Sequence, residues 1–343
     1  MSRVGENFKL HEYILFALAT IATFILCVCV GSVNIPLKDT AHVIWNSIRG
    51  LPAPQEISNA IILTVRLPRV MCVALVGAAL SLCGGAMQGL LKNPLADGST
   101  LGVSSGASLG AVIAIALDIS IPALPFAGTM VMAILFAFIS LLMILSLAYK
   151  LDFSLSTNTI ILIGVIYSMF VSAIMSLVIT FAYDRLKHIT FWTMGSLQGS
   201  NYSNALVLLG ALLIFGTIIS SLARELNAFA VGEDNARHIG VDVKRVKLTI
   251  LIAVSALIGV CVSIGGVIGF VGLVTPHMVR MIVGPNHKRL LPASLFGGAI
   301  FLMLADLVAR ILVNPIELPL GVVTSFIGSL MFVIIFYRSR KRT

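Results

Sequence analysis

Few side chains in this chain could do chemistry. Asp306 and Arg310 stand four residues apart inside the apolar run 290–313, the spacing that puts both on one face of a helix. An acid in such a run is half of a local ion pair or part of a proton relay, and the nearby arginine favours the pair. Arg66 and Arg69 flank Leu67-Pro68 at the mouth of another apolar run. A guanidinium there could grip a carboxylate through two parallel hydrogen bonds, or lie against lipid headgroups. His277, in Thr275-Pro276-His277, could be a ligand, but a lone histidine satisfied by its neighbours is the simpler reading. No Walker A lysine loop, His-Glu-x-x-His or Cys-x-x-Cys accompanies these residues. Cys27, Cys29, Cys72, Cys83 and Cys261 all lie in apolar runs and read as small hydrophobes, not as metal ligands or disulfide partners. No catalytic residue, resident metal or bound cofactor is expected, and the chain is not expected to be an enzyme.

One polar island interrupts the second half. Residues 224–247 hold nine charged side chains in a chain that is only 11% charged, with the apolar runs 206–222 and 248–264 on either side. A single charge at the centre of a bilayer costs at least ~2.5 kcal/mol, so the island must emerge as a loop. Its punctuation predicts two short helices. Gly232 ends the first, Asp234 or Asn235 caps the second, and Gly240 closes it. Such a loop is either a solvated connection or a knob that docks on a soluble partner.

The elements that must position these residues are long and apolar. The chain has 343 residues, 58% of them hydrophobic, and a mean hydropathy of +1.05. Soluble domains are less apolar and carry about 25% charged residues. About 20 residues of helix cross the hydrocarbon layer, and a β-barrel would need alternating polarity that is absent here. About ten spans are predicted: 13–33, 67–90, 99–117, 123–149, 156–182, 204–222, 247–265, 268–283, 290–313 and 320–337. The first reads as a retained helix, not a cleaved signal. Sixteen Lys and Arg fall on the face that carries the island and both termini, against seven on the other. That asymmetry puts the island and both termini in the cytoplasm and accounts for most of the net charge of +9 without nucleic acid. A short amphipathic helix is predicted near 39–48, and the segment 183–202 carries interfacial aromatics at the outer surface.

Glycines gather where helices must approach closely: Gly77, Gly84, Gly85 and Gly89 in the second span, then Gly98, Gly102, Gly106 and Gly110 at every fourth position. Gly84-Gly85 with Pro94 is echoed by Gly265-Gly266 with Pro276, about half a chain later. Paired interrupted helices are a transporter signature.

These stretches resemble a known family. Gly84-Gly85-Ala86-Met87-Gln88, Asn93-Pro94-Leu95-Ala96 and Leu101-Gly102-Val103-Ser104-Ser105-Gly106-Ala107 are similar to the second-to-third-span signature of the FecCD family, permeases of ABC importers for iron–siderophores, haem and vitamin B12. Arg66-Leu67-Pro68-Arg69, the run 269–277, Leu304-Ala305-Asp306-Leu307-Val308-Ala309-Arg310 and Glu317-Leu318-Pro319-Leu320-Gly321 match in order, over nearly the whole chain. The resemblance implies an all-α polytopic fold of the vitamin-B12-permease type, that of type II ABC importers, with about ten transmembrane helices in two pseudo-repeated halves. Residues 1–343 would form one transmembrane domain. It implies a second permease subunit (identical or homologous), two ATP-binding subunits that hold the ATP, and an extracytoplasmic substrate-binding protein, all at the cytoplasmic membrane. Leu226, Ala230, Gly232, Glu233, Ala236, Arg237 and Gly240 would form the segment that seats in the ATPase. Arg66, Arg69 and Arg310 would meet acidic residues of the binding protein. Gly84, Gly85, Asn93, Pro94, Gly102, Pro276 and Asp306 would serve structure or gating. The implied cargo is a ferric siderophore, with haem or cobalamin as the alternative. From another class, an ion-coupled secondary transporter stays open, and a membrane anchor for a soluble complex ranks behind it.

Overall fold

In lipid a backbone must satisfy its own hydrogen bonds, so long apolar runs become helices. The computed structural model describes residues 8–33, 35–49, 56–119, 127–153 and 156–340, and no strand occurs among them. The chain starts with α1 (Leu10–Cys29) and the amphipathic α2 (Leu37–Arg49), where the Arg49 guanidinium stacks on Trp45. A rod then runs through α3 (Glu56–Ala60), a π-turn (Ile61–Arg66) and α4 (Leu67–Leu90). Next come α5 (Val103–Ala116), α6 (Ala127–Leu151), α7 (Thr157–Phe181), the short α8 (Leu186–Thr193) and α9 (Tyr202–Ser221). The island folds as α10 (Ala223–Val231) and α11 (Glu233–His238), followed by α12 (Val243–Gly265), α13 (Val271–Val283), α14 (His287–Ile311) and α15 (Leu320–Arg340).

Among the described residues seven helices are long and apolar enough to cross a membrane, and α5, α13 and α15 are shorter apolar helices. Together they match the ten expected spans. Their starts are specified locally. Asn201 caps α9 by accepting from Asn204 N (2.9 Å), Asp242 caps α12 through Arg245 N (3.1 Å), and Asn286 caps α14 through Lys288 N (3.0 Å).

Burial ranks the helices. The rod that ends in α4 is 83% buried over its most apolar stretch, against 11% for α1, so α4 is central and α1 peripheral. α12 and α14 flank α4, and the α4–α14 seam is made by small residues. A methyl group on Gly77 would overlap the Gly298 carbonyl, and one on Gly84 would overlap the Gly272 backbone of α13. Backbone meets backbone there, as expected of such spacing in lipid.

The predicted echo holds in a different register. Gly84-Gly85 lies inside α4 whereas Gly265-Gly266 straddles the end of α12, and Pro94 sits in a turn whereas Pro276 is inside α13. What repeats is a unit: a full-length helix, an irregular return to mid-depth, and a half-length helix. After α4 the chain turns back until Gly98 packs on Val254 and Ile258 of α12, and α5 starts there. After α12 it turns back until Gly272 meets Leu80 and Gly84 of α4, and α13 starts there. The two units run in opposite directions, and each half-helix follows a residue of left-handed conformation, Gly102 (φ 78°) and Phe270 (φ 67°).

The seam gives a direct test. Gly298→Val should destabilise the protein by about 1–3 kcal/mol, the usual cost of overpacking. Gly210→Val, at a position with open space around it, should be close to neutral. Thermal unfolding in detergent distinguishes the two.

Candidate functional site: polar clusters at the two ends of α14

At one end of the bundle the arginines of α4 meet α14. The π-turn delivers Arg66, and Arg69 follows one turn later. Arg69 donates from Nε (3.0 Å) and Nη2 (2.9 Å) to Asp306 Oδ1, and from Nη1 to Glu317 Oε2 (2.6 Å). Asp306 Oδ2 lies 2.9 Å from Arg310 Nε, a charge contact without hydrogen-bond alignment. Arg310 also donates to the carbonyls of Cys27 (3.0 Å) and Val30 (3.1 Å). Arg66 donates to those of Val28 (3.2 Å), Cys29 (3.0 Å) and Val33. Two guanidiniums thus cap the C-terminal carbonyls of α1, where the helix leaves acceptors unpaired and carries partial negative charge.

All three arginines are buried, and Asp306 is only 1% exposed. The expectation from sequence had the three facing acidic groups of another protein. In this conformation their donors are directed to partners within the chain, and only the Glu317 carboxylate reaches toward solvent (19% exposed). The expected Asp306–Arg310 pair is present, with Arg69 as a third member.

At the opposite end, α10 and α11 form an elbow. Gly232 (φ 125°) ends the first helix and also caps the second, which starts at Glu233. The cap predicted at Asp234 or Asn235 is therefore at Gly232. Asn235 turns back instead, its Nδ2 donating to Val231 O (2.9 Å). Gly240 (φ 91°) closes α11 as expected. Leu226, Phe229 and Ala236 form the buried foot of the elbow. Ala230, Val231, Arg237, Ile239 and Gly240 are exposed, while Gly232 and Glu233 lie between. Glu233 accepts from Lys247 Nζ (2.8 Å), a lysine buried at the start of α12. That ion pair bolts the second elbow helix to the bundle.

Between the two ends lie the half-helices. Asn93 Oδ1 accepts from Leu95 N (2.9 Å), which forms the turn that holds Pro94. Gln88 Nε2 donates to Leu273 O (3.0 Å), and its Oε1 accepts from Arg280 (3.2 Å). A cavity of about 560 Å³ opens beside the start of α13, lined by Leu95, Asp97, Met194, Phe270, Gly321 and Ser325 among others. Phe270 holds a left-handed backbone, which is rare outside glycine, and its ring packs on Gly328 of α15. Gly85 lies against Pro276 of α13. His277, expected to be satisfied by neighbours, has a buried Nδ1 with no hydrogen-bond partner. Among the described residues no cluster of His, Cys, Asp or Glu could hold a metal ion.

Several residues here escaped the sequence reading. Asp97 is a second interior acid, hidden in a Pro-Leu-Ala-Asp-Gly turn that reads as surface loop but folds back to mid-depth. Asn227 and His287 carry no local motif, and Glu317, though it opens the matched Glu-Leu-Pro-Leu-Gly stretch, had no role assigned to it. Gly102-Val103-Ser104-Ser105-Gly106 also has the Gly-x-Ser-x-Gly spacing of a hydrolase nucleophile turn, which needs a preceding strand; here it opens an apolar half-helix.

Comparison with known proteins places this architecture. The family model described as the FecCD transport family matches residues 19–338. An uncharacterized ABC transporter permease protein of Bacillus subtilis, YvrB, is 41% identical, with 98% of this chain and 96% of that protein covered. The hemin transport system permease protein HmuU of Yersinia pestis is 36% identical over 93% of this chain and 94% of its own. Relatives named for cobalamin and molybdate import match as well. A solved inward-facing structure of a metal-chelate type ABC transporter superposes with a TM-score of 0.84 at 31% identity, covering 96% of this chain and all of that one.

Asp306→Leu would strand two buried guanidiniums and should cost about 3–5 kcal/mol, the range for a broken buried ion pair. Glu317→Gln, at a partly solvated position, should cost clearly less. Thermal unfolding of the two variants side by side measures the difference.

Proposed function

The chain belongs to the FecCD transport family, and on that premise we propose that this ABC-importer permease carries a ferric siderophore across the cytoplasmic membrane. The observation that carries the importer reading is the elbow: a rigid, capped two-helix projection in a chain without a nucleotide-binding motif. Energy must then reach the bundle from another chain. ATP is bound and hydrolysed by two separate subunits, and this chain itself takes no cofactor. Exposed Ala230, Arg237 and Gly240 seat in those subunits, while Leu226, Ala236 and the Glu233–Lys247 pair transmit the load inward. A knob that moves as a body converts closure of its partner into rotation of the helices behind it.

The elbow and both termini face the cytoplasm in this reading, which the Lys and Arg asymmetry supports. The arginine end then faces outward and receives an extracytoplasmic binding protein. Carboxylates of that protein would reach Arg69 by replacing Glu317, the one partly solvated member of the cluster. Cargo passes between this chain and a second permease subunit, identical or homologous. The likeness to a metal-chelate transporter over nearly the whole chain supports a metal chelate as cargo. Haem is the second reading, supported by the likeness to HmuU. Ion coupling has less support, because both Asp306 oxygens are taken by arginines and are poorly placed to cycle a proton.

Cells lacking this chain should lose uptake of radiolabelled ferric siderophore, and should lose it again when the partner ATPase is inactivated. Retained uptake would turn the assignment to haem and cobalamin, and loss only on collapse of the proton gradient would overturn the ATP-driven reading. Glu233→Ala and Gly240→Val should abolish uptake while leaving the amount of protein in the membrane unchanged. Normal uptake by both would remove the elbow from the mechanism.

A further inference from the structure

The elbow has a second attachment, outside the residues that family likeness singles out. Asn227, on the first elbow helix, reaches the N-terminus of α14. Its Nδ2 donates to Asn286 Oδ1 (2.8 Å), and its Oδ1 accepts from the His287 backbone N–H (2.8 Å) and faces His287 Nδ1 (2.9 Å). One side-chain amide therefore meets three groups of the first turn of α14 and satisfies an N–H that a helix start leaves unpaired. His287 is only 4% exposed, and its ring fills the space that a Cβ on Gly89 of α4 would need. The clasp is thus wedged between the elbow, α14 and α4.

α14 then runs about 37 Å at 1.5 Å per residue to the opposite cluster, where Asp306 and Arg310 bind Arg69 and the end of α1. Along the way it is interlocked with α4 through Gly77 and Gly298, so the two helices cannot slide independently. The Glu233–Lys247 pair, by contrast, ties the elbow to α12.

We propose that Asn227 is the positioning residue that hangs the elbow on α14, so that α14 with α4 moves as one rod and carries nucleotide-driven motion of the elbow to the arginine cluster. The inference rests on the elbow being the ATPase contact. It predicts reciprocity, since a coupling between two sites acts equally in both directions: a ligand at the arginine end shifts the elbow through the same residue.

The test uses the full importer, purified with its ATP-binding subunits in lipid nanodiscs, with MgATP plus vanadate as the probe. A spin label is placed at Ile239→Cys on the elbow or at Leu312→Cys just beyond α14, both exposed positions, in a background lacking the five native cysteines. With Asn227 intact, the spectra at both positions should change on trapping. Asn227→Leu should leave the change at position 239 and lose it at position 312. Asn227→Asp, which keeps the acceptor for His287 but loses the donor to Asn286, should restore the far-end change only in part. A response at position 312 that survives Asn227→Leu, or that is absent with Asn227 intact, overturns the proposal. A label at position 239 that is silent with Asn227 intact instead overturns the ATPase-contact reading, so the two failures are distinguishable. If Asn227→Leu does not assemble, Asn286→Ala removes the acceptor of the Asn227 amide and must weaken the response at position 312 for the proposal to stand.

Discussion

A carboxylate shared by two arginines inside an apolar bundle is the constraint on which the rest of the structure depends. Asp306 is almost fully buried, and both of its oxygens face guanidinium groups. Removing the carboxylate would leave two guanidiniums without their shared counter-charge where water cannot help, and the sharing holds α4 and α14 in one register. That register sets the glycine seam between them. The surplus positive charge of the cluster is absorbed by the carbonyls at the end of α1 and by Glu317. A helix with little buried surface of its own is thereby anchored by its terminus.

The opposite end is built on different physics. Its charges are mostly solvated, and shape comes from two glycines with positive φ, a buried apolar foot and the Lys247 and Asn227 attachments. The cluster at one end resists movement of α4 against α14, while the elbow at the other is a small body held by a few directed contacts. Such a body transmits force without melting. A chain without a Walker A motif needs that property if it is driven from outside.

Most of the helical framework was legible in the sequence, because uniform apolar runs bounded by Gly, Pro and charge have one low-energy solution in lipid. All ten expected spans have a counterpart, and the amphipathic helix near 39–48 appears as α2. The Asp306–Arg310 pair was legible because four residues is a helical repeat. Its third and fourth members were not: Arg69 lies 237 residues from Asp306 and 248 from Glu317, and no local pattern encodes a contact of that range. The three arginines read as outward-facing for the same reason, since the α1 carbonyls that hold two of them are invisible in side-chain types. Asp97 and the half-helices were half legible. The turn residues mark an interruption, but nothing in them says that the chain folds back into the bundle. At the elbow, Gly232 serves two helices at once, which puts the second cap two residues before Asp234 and three before Asn235, the caps the sequence implied.

The central claim is that the elbow is where another chain's ATP energy enters. It is tested most directly by photo-crosslinking in cells from Ile239, the most exposed apolar side chain of the elbow, with Leu312 at the arginine end as the counterpart. The account predicts that a probe at position 239 captures an ATP-binding subunit and a probe at position 312 does not. Capture of that subunit from position 312 but not 239 would contradict both the orientation and the coupling route.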